Sequence, residues 1–496
     1  MKSLWLESAP RIPTDAFKEG GQYDSVVVGA GITGLTVATL LARSGQRVAV
    51  LEARSAGAVT TGNSTAKVSL LQGTQLSSII KHHGAALARH YVTGNREGQS
   101  WLLRFCDENG ISYDVRDAVN YAVTDDGARL LSEERDACAN SGLTAVLEDS
   151  SSDLPFPVTR TLRAAGQAQV HPMEVLSALA ADLRKHSGEL VEDVRVTGVK
   201  AGSTKGERTT LQTSRGEVTA ANVIVATGTP ILDRGGHFSV LQPHRSYAVA
   251  FTVQDEIPGA MYLSVDSPSR TLRNATVEGR PYLIVGGNGH TVGRQAHTQS
   301  LVDDIIRWTQ EHFPTAQPSF SWSAQDYTPA SSVPYVGRMP IGGQAIYAAT
   351  GFNKWGFTNG VAAALALSAE ILGGNMPWAK ELYKTRVGKQ DALSTAKTNA
   401  GVGVEMVSGW LGGLVRASHA QPPEGQGVVV REGARPVGIC QIAGITHRVS
   451  AVCTHLGGVL SWNDAEQSWD CPLHGSRFTH DGVRLEGPAT RDLQSP

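Results

Sequence analysis

Apolar residues follow two rhythms along this chain. Short β-branched runs ending in glycine or a charged turn occur at Asp24-Ser-Val-Val-Val-Gly29, Arg47–Leu51, Asn222–Ala226 and Ala345–Thr350. Each suits a strand buried on both faces of a parallel sheet. An apolar helix follows the first run as far as Leu41, with Gly45 as its stop, and another is expected over Val361–Leu372. Elsewhere the rhythm changes. Stretches near 95–155 and 240–325 lack strand–helix–strand alternation and carry strand-like pieces such as Ser246–Thr252 and Pro281–Val285. Val407, Trp410, Leu411, Leu414 and Val415 recur at helical spacing, an amphipathic stripe. No basic face accompanies it, so packing on the same protein is expected rather than a membrane surface. Pro422-Pro423-Glu-Gly425 then marks a join between units.

Composition narrows the class. A chain of 496 residues needs two to four structural units, and 41% hydrophobic with 18% charged residues describes a folded globular protein. The 54 glycines exceed the usual share and suit nucleotide-binding turns. A net charge of −2 offers no field to attract nucleic acid. No window reaches ~18 uninterrupted apolar residues, and the start reads as no secretory signal. Five cysteines are too few for a disulfide framework, so a cytoplasmic location is expected. Cys440 lies in an apolar run and reads as a buried, inert thiol.

The first strand and helix flank Gly29-Ala-Gly31-Ile-Thr-Gly34, and the second strand ends at Glu52. The first glycine makes the turn, the second lets backbone approach a pyrophosphate, and the third allows helix and strand to pack closely. Glu52 is placed to hold ribose hydroxyls. This fingerprint alone does not separate NAD from FAD. Three features favour FAD: a late strand ending at Thr227-Gly228, its repeat at Thr350-Gly351 before the glycine-rich Phe352–Gly360, and the lack of a second complete fingerprint. Leu283-Ile-Val-Gly-Gly-Asn-Gly289 has its next glycine one residue late and reads as a strand and turn.

Near the end, Cys453-Thr-His455-Leu-Gly-Gly458 and Cys471-Pro-Leu-His474-Gly-Ser476 each offer one thiolate and one imidazole. Two Cys and two His suit a [2Fe-2S] cluster with inequivalent irons, or a tetrahedral zinc. Gly457, Gly458, Pro472 and Gly475 favour iron, because tight loops clasp a bulky core, and the Ser476 hydroxyl can donate to a cluster sulfur. Residues 427–494 closely resemble the Rieske domain family, which implies Cys453, His455, Cys471 and His474 as ligands. In quinol-oxidising Rieske proteins a disulfide braces the two loops; Gly458 and Leu473 stand at those positions here, and Phe478 replaces a tyrosine that bonds a ligand sulfur. Fewer such bonds stabilise the reduced cluster less, so a potential in the lower half of about −150 to +300 mV is expected.

Residues 22–385 resemble FAD-dependent oxidoreductases of the D-amino-acid-oxidase type. The resemblance carries Gly29, Gly31, Gly34 and Glu52 to the ADP half, and Thr65 and Lys67, within Thr61–Lys67, to the segment beside the flavin. It places Val196 at the adenine and Gly351, Lys354, Gly356 and Thr358 at the closing loop. It also implies an α/β FAD-binding (Rossmann-like) domain, with an inserted antiparallel substrate-covering sheet near 95–155 and 240–325. A helical linker over 386–424 and an all-β Rieske domain over 425–496 complete the expected plan. The whole combination resembles bacterial FAD–Rieske oxidoreductases, which implies dehydrogenation of an amine or amino acid and release of electrons singly to an external acceptor. A rival reading is an electron relay without its own organic substrate. Candidate substrate groups are His244, Arg245, Tyr247, Arg270, Arg273 and Lys354.

Overall fold

The computed structural model describes residues 1–150, 153–202, 207–232, 239–339, 345–384, 421–433 and 435–496. The stripe at Val407–Val415 and most of the expected linker lie outside these residues.

The four buried runs form one sheet. Its strand order is Tyr335–Arg338, Ile346–Thr350, Gly216–Val225, Gln22–Val28, Val48–Leu51 and Glu189–Val191, with all but the first strand parallel. Strand alternation sends Val27, Val50, Ile224 and Tyr347 to one face, where they pack on the helices Ile32–Arg43, Pro172–Lys185 and Gly356–Ile371. Val26, Leu51, Val223 and Val225 go to the other face, against the antiparallel strands Val196–Lys200 and Thr209–Thr213. Both faces are therefore dry, as the unbroken apolar runs require.

The helix expected at Val361–Leu372 starts five residues earlier, at Gly356. Glycines that read as loop signals serve close packing instead. A Cβ at Gly360 would lie 2.5 Å from Thr33 Oγ1 on the fingerprint helix.

A second sheet has nine strands, ordered Gln317–Pro329, Leu241–Thr252, Arg280–Thr291, Arg270–Val277, Met261–Ser264, Tyr113–Ala122, Arg160–Val170 and Lys67–Val68, with Val146–Glu148 on the side. Only the contact of Met261–Ser264 with Tyr113–Ala122 is parallel. Leu283–Gly289 lies wholly within the strand Arg280–Thr291, so its glycines form no turn. The inner face buries Ala248, Ala250, Ile284 and Trp322 toward the first sheet. The outer face buries Tyr247, Val249, Leu272 and Val285 beneath the helix Gln299–His312. Between 95 and 155 the chain is largely helical, with Ala85–Glu108 and Asp125–Ser141 flanking the strand Tyr113–Ala122.

The C-terminal module is built of strands alone among its described residues. Gly427–Glu432, Arg435–Ile442 and Ile445–Ser450 make a three-stranded sheet. Ser461–Asn463, Ser468–Asp470, Arg477–Thr479 and Arg484–Glu486 make a four-stranded one. No helix among the described residues is long and apolar enough to cross a membrane.

Candidate active site

The carboxyl ends of the parallel strands open onto a cleft lined by Gly29, Gly31, Glu52, Val196, Ala226 and Gly228 among others. Its floor is set by glycine. Gly29 takes φ 106°, and a Cβ there would lie 2.6 Å from the Ala226 carbonyl; one at Gly34 would lie 1.9 Å from the Gly29 carbonyl. The fingerprint helix begins at Gly31, which has no side chain to cap it, with no acidic residue in its first turn, and the Ile32 amide donates to the Thr61 hydroxyl at 3.1 Å. The helix dipole favours an anion such as a pyrophosphate at this end. The Glu52 carboxylate accepts the amides of Ala30 (2.8 Å) and Arg54 (2.9 Å). Burial raises its pKa, against those bonds and the nearby Arg54 and Arg195. A donor-rich helix start beside a fixed carboxylate fits the ADP half of FAD.

Further along, Asp326, Tyr327, Phe352, Lys354 and Gly356 line the same cleft. Lys354 has φ 71°, and its amide donates to the Asp326 carboxylate, which also accepts the Tyr327 amide at 2.7 Å. Burial raises Asp326 to about 6. Burial lowers the Lys354 ammonium, with Asp326 opposing. His244 is pushed down to about 4 by burial and then by the charge of Lys354, so the ring is neutral at pH 7.

Other expected residues stand behind the cleft wall. Gly351 turns the chain at φ 79°. Thr358 receives a bond from Gln72 at 2.9 Å within a buried polar network that includes Asn95, Tyr91 and Asn359. The Thr65 carbonyl accepts from Arg273 at 2.5 Å. Lys67 donates to the Tyr262 carbonyl at 2.8 Å and to Thr271, and burial beside Arg273 lowers it to about 7. Two candidates for substrate contact lie on the outer face of the sheet instead. Arg270 pairs with Asp304 at 2.5 Å and stands 5.6 Å over Trp308, while Tyr247 stacks on His290 at 5.8 Å. Arg273 lies over Trp5 and braces backbone carbonyls. The structure thus brings Lys354 to the cleft, sets His244 opposite Asp326 on the neighbouring strand, and leaves Arg270 and Tyr247 apart from the cleft.

The two Cys–His loops share one construction. The Cys453 amide donates to Gly458 (2.8 Å) and the Gly457 amide returns to Cys453 (3.0 Å). The Cys471 amide donates to Ser476 (2.8 Å) and the Gly475 amide returns to Cys471 (3.2 Å). Gly457 and Gly475 close the loops at φ 73° and 76°, values that favour glycine. The two thiols hydrogen-bond each other, and the His455 and His474 rings meet edge-on, 5.1 Å apart at 85°. Backbone amides of His455 and Leu456 and the Ser476 hydroxyl point to the Cys453 sulfur. Among the described residues no three His, Cys, Asp or Glu side chains converge on one ion position. A two-iron cluster asks only two protein ligands of each iron, so paired sulfurs and paired imidazoles fit it. Gly458 and Leu473 face each other, since a Cβ on the glycine would lie 2.6 Å from Leu473 Cδ1. Phe478 is fully buried in the same small core as both cysteines.

Beside the cleft a buried charge network ties the two parts together. Arg245, 4% exposed, pairs with Glu466 at 2.5 Å and with Glu486 at 2.7 Å. Arg477 holds the same two carboxylates and Asp470 at 2.6, 2.7 and 2.9 Å. Arg245 is therefore engaged by the cluster module and not by a substrate.

A dinucleotide cleft in a parallel sheet, a covering antiparallel sheet and a twin Cys–His loop module define an FAD-dependent oxidoreductase carrying a Rieske [2Fe-2S] domain. Family models agree: FAD dependent oxidoreductase matches residues 24–370 and Rieske [2Fe-2S] domain matches 414–496, so the chain belongs to the FAD-dependent oxidoreductase family. A Bacillus subtilis (strain 168) protein, named as a Rieske 2Fe-2S iron-sulfur protein, YhfW, is 30% identical over 99% of this chain and 97% of its own length. The glycine oxidase of Geobacillus kaustophilus shares the fold at 17% identity and TM-score 0.62, over 74% of this chain and all of that one. The L-proline dehydrogenase of P. horikoshii does so at 17% and 0.59, over 73% and 97%.

Sequence reasoning passed over Asp326, Arg54 and the Arg477–Glu466–Glu486 set. Nothing local distinguishes Asp326 from a solvated strand-end carboxylate. The charges of the network carry no motif; only folding brings them together.

Proposed function

We propose that this chain oxidises a small amine or amino acid at the C–H beside nitrogen. In this reading two electrons leave one at a time, through the cluster, to an external acceptor. The observation that carries it is the buried pair at the cleft, Asp326 and Lys354, with His244 opposite Asp326 on the neighbouring strand. The activities named for the fold neighbours, glycine oxidase and L-proline dehydrogenase, support the substrate class. An amine arrives largely as an ammonium, whose nitrogen lone pair is tied up and cannot assist loss of hydride. A carboxylate poised near pH 6 takes that proton at a remaining lone pair, each of its oxygens already accepting one backbone amide. Neutral His244 adds no competing charge, and the Lys354 amide keeps Asp326 oriented. When bound, FAD supplies the hydride acceptor, and the protein's part is to position the C–H, manage the proton and exclude water. Water then hydrolyses the imine to carbonyl compound and amine or ammonia.

Anaerobic mixing with a panel of amines and amino acids, and separately with NAD(P)H, tests the reading. Bleaching of the flavin band by an amine or amino acid, followed by cluster reduction, is expected. Bleaching by NAD(P)H alone would replace it with the relay.

A further inference from the structure

The cluster module forms part of the cofactor cleft itself. Leu485, Glu486 and Gly487, at the end of the strand Arg484–Glu486, line the same space as Gly31, Glu52 and Tyr327. This strand is gripped from the flavin side. Arg195, next to Val196, donates to the Arg484 carbonyl at 3.1 Å, and Arg245 pairs with Glu486 at 2.7 Å. On its far side the wall meets the cluster loop backbone to backbone. A Cβ on Gly487 would lie 2.5 Å from Ser476 Cα and 2.7 Å from the Gly475 carbonyl. That carbonyl in turn accepts Gln325 of the covering sheet at 2.8 Å.

Where the two parts meet, Arg54, Arg195 and Arg484 line one recess together with Glu192 and Asp193, and the Arg484 amide donates to Asp492 at 2.9 Å. Arg484 is 5% exposed and its Nε has no hydrogen-bond partner. Burial and the neighbouring Arg195 lower it to about 10. A cofactor seated in the adjoining cleft has Leu485, Glu486 and Gly487 as one of its walls, and its arrival favours the closed arrangement.

We propose that FAD binding and docking of the cluster module are one coupled equilibrium, with the module closing the cofactor site and each holding the other in place. This is independent of the substrate assigned above. Coupling of this kind is reciprocal by thermodynamic necessity, so it is testable from either side. In the full-length holoprotein, Arg245→Glu sets a third carboxylate against Glu466 and Glu486 and unseats the module. FAD should then dissociate roughly 10-fold or more readily, by equilibrium dialysis read at flavin fluorescence, while the visible cluster spectrum persists. Conversely, stripping FAD from the unaltered protein should raise amide hydrogen exchange over 484–487 and 471–476. The reciprocal measurement needs no variant and so decides the matter even if Arg245→Glu fails to fold. Exchange over these segments that is the same with and without FAD overturns the proposal. So does unchanged FAD retention in a folded Arg245→Glu protein with its cluster intact.

Discussion

Asp326 shows how much a single environment decides. Its ordinary pKa of 3.8 is raised to about 6 by burial, against the amides of Tyr327 and Lys354. A carboxyl with a raised pKa contributes most to stability below its unfolded value, and that contribution is lost as pH rises through about 6. Asp326→Asn should therefore raise the melting temperature at pH 8 relative to the parent. It should also lower kcat/KM roughly 100-fold and remove the acid limb near pH 6, measured in a pH–rate profile with the amine that bleaches the flavin. Phe478 makes the complementary case at the cluster. Phe478→Tyr restores a hydroxyl to the core holding Cys453 and Cys471. One added hydrogen bond of about 1 kcal/mol should raise the midpoint potential by about 40 mV in a spectroscopic redox titration. Phe478 was legible from its place beside the CPLHGS motif. Asp326 was not, because a pKa shift belongs to surroundings assembled from separate strands.

At the scale of elements, the fingerprint turn was readable because its demands are local: strand, three glycines, helix, acid. Gly34 shows how tight those demands are. Gly34→Ala would put a methyl 1.9 Å from the Gly29 carbonyl, at a cost of about 1–3 kcal/mol in overpacking. The variant should purify with little FAD, seen as a loss of absorbance in the flavin band. The strand Leu241–Thr252 shows where local reading ends. Strand character was visible in its apolar alternation, but neighbouring residues on a strand point to opposite faces. His244 consequently stands opposite Asp326, while Arg245 and Tyr247 point to the other face, toward the cluster module and the helix Gln299–His312. Three closely spaced candidates were thus divided between two surfaces by strand geometry alone.

Over the whole molecule, the buried network sets a pH limit. Burial opposes charge on Glu466 and Glu486, but Arg245 and Arg477 outweigh it and hold both well below the usual carboxylate range. Depressed carboxyls contribute stability above their unfolded pKa near 4.5, and that contribution is lost as pH falls through the depressed values. Acid should therefore release the module, and FAD with it, read as rising flavin fluorescence below about pH 4.5. Glu466→Gln should cost about 3–5 kcal/mol in urea unfolding at pH 7, since it leaves Arg245 and Arg477 short of a buried partner. The cofactors, their ligand loops and the parallel-sheet core were determined by the sequence alone, because each rests on residues close together in the chain and on backbone rules. Only the tertiary structure decided that the cluster module walls the flavin cleft. The pair that clamps it, Arg245 and Glu486, lies 241 residues apart, and charges so distant become partners only when folding removes both from water.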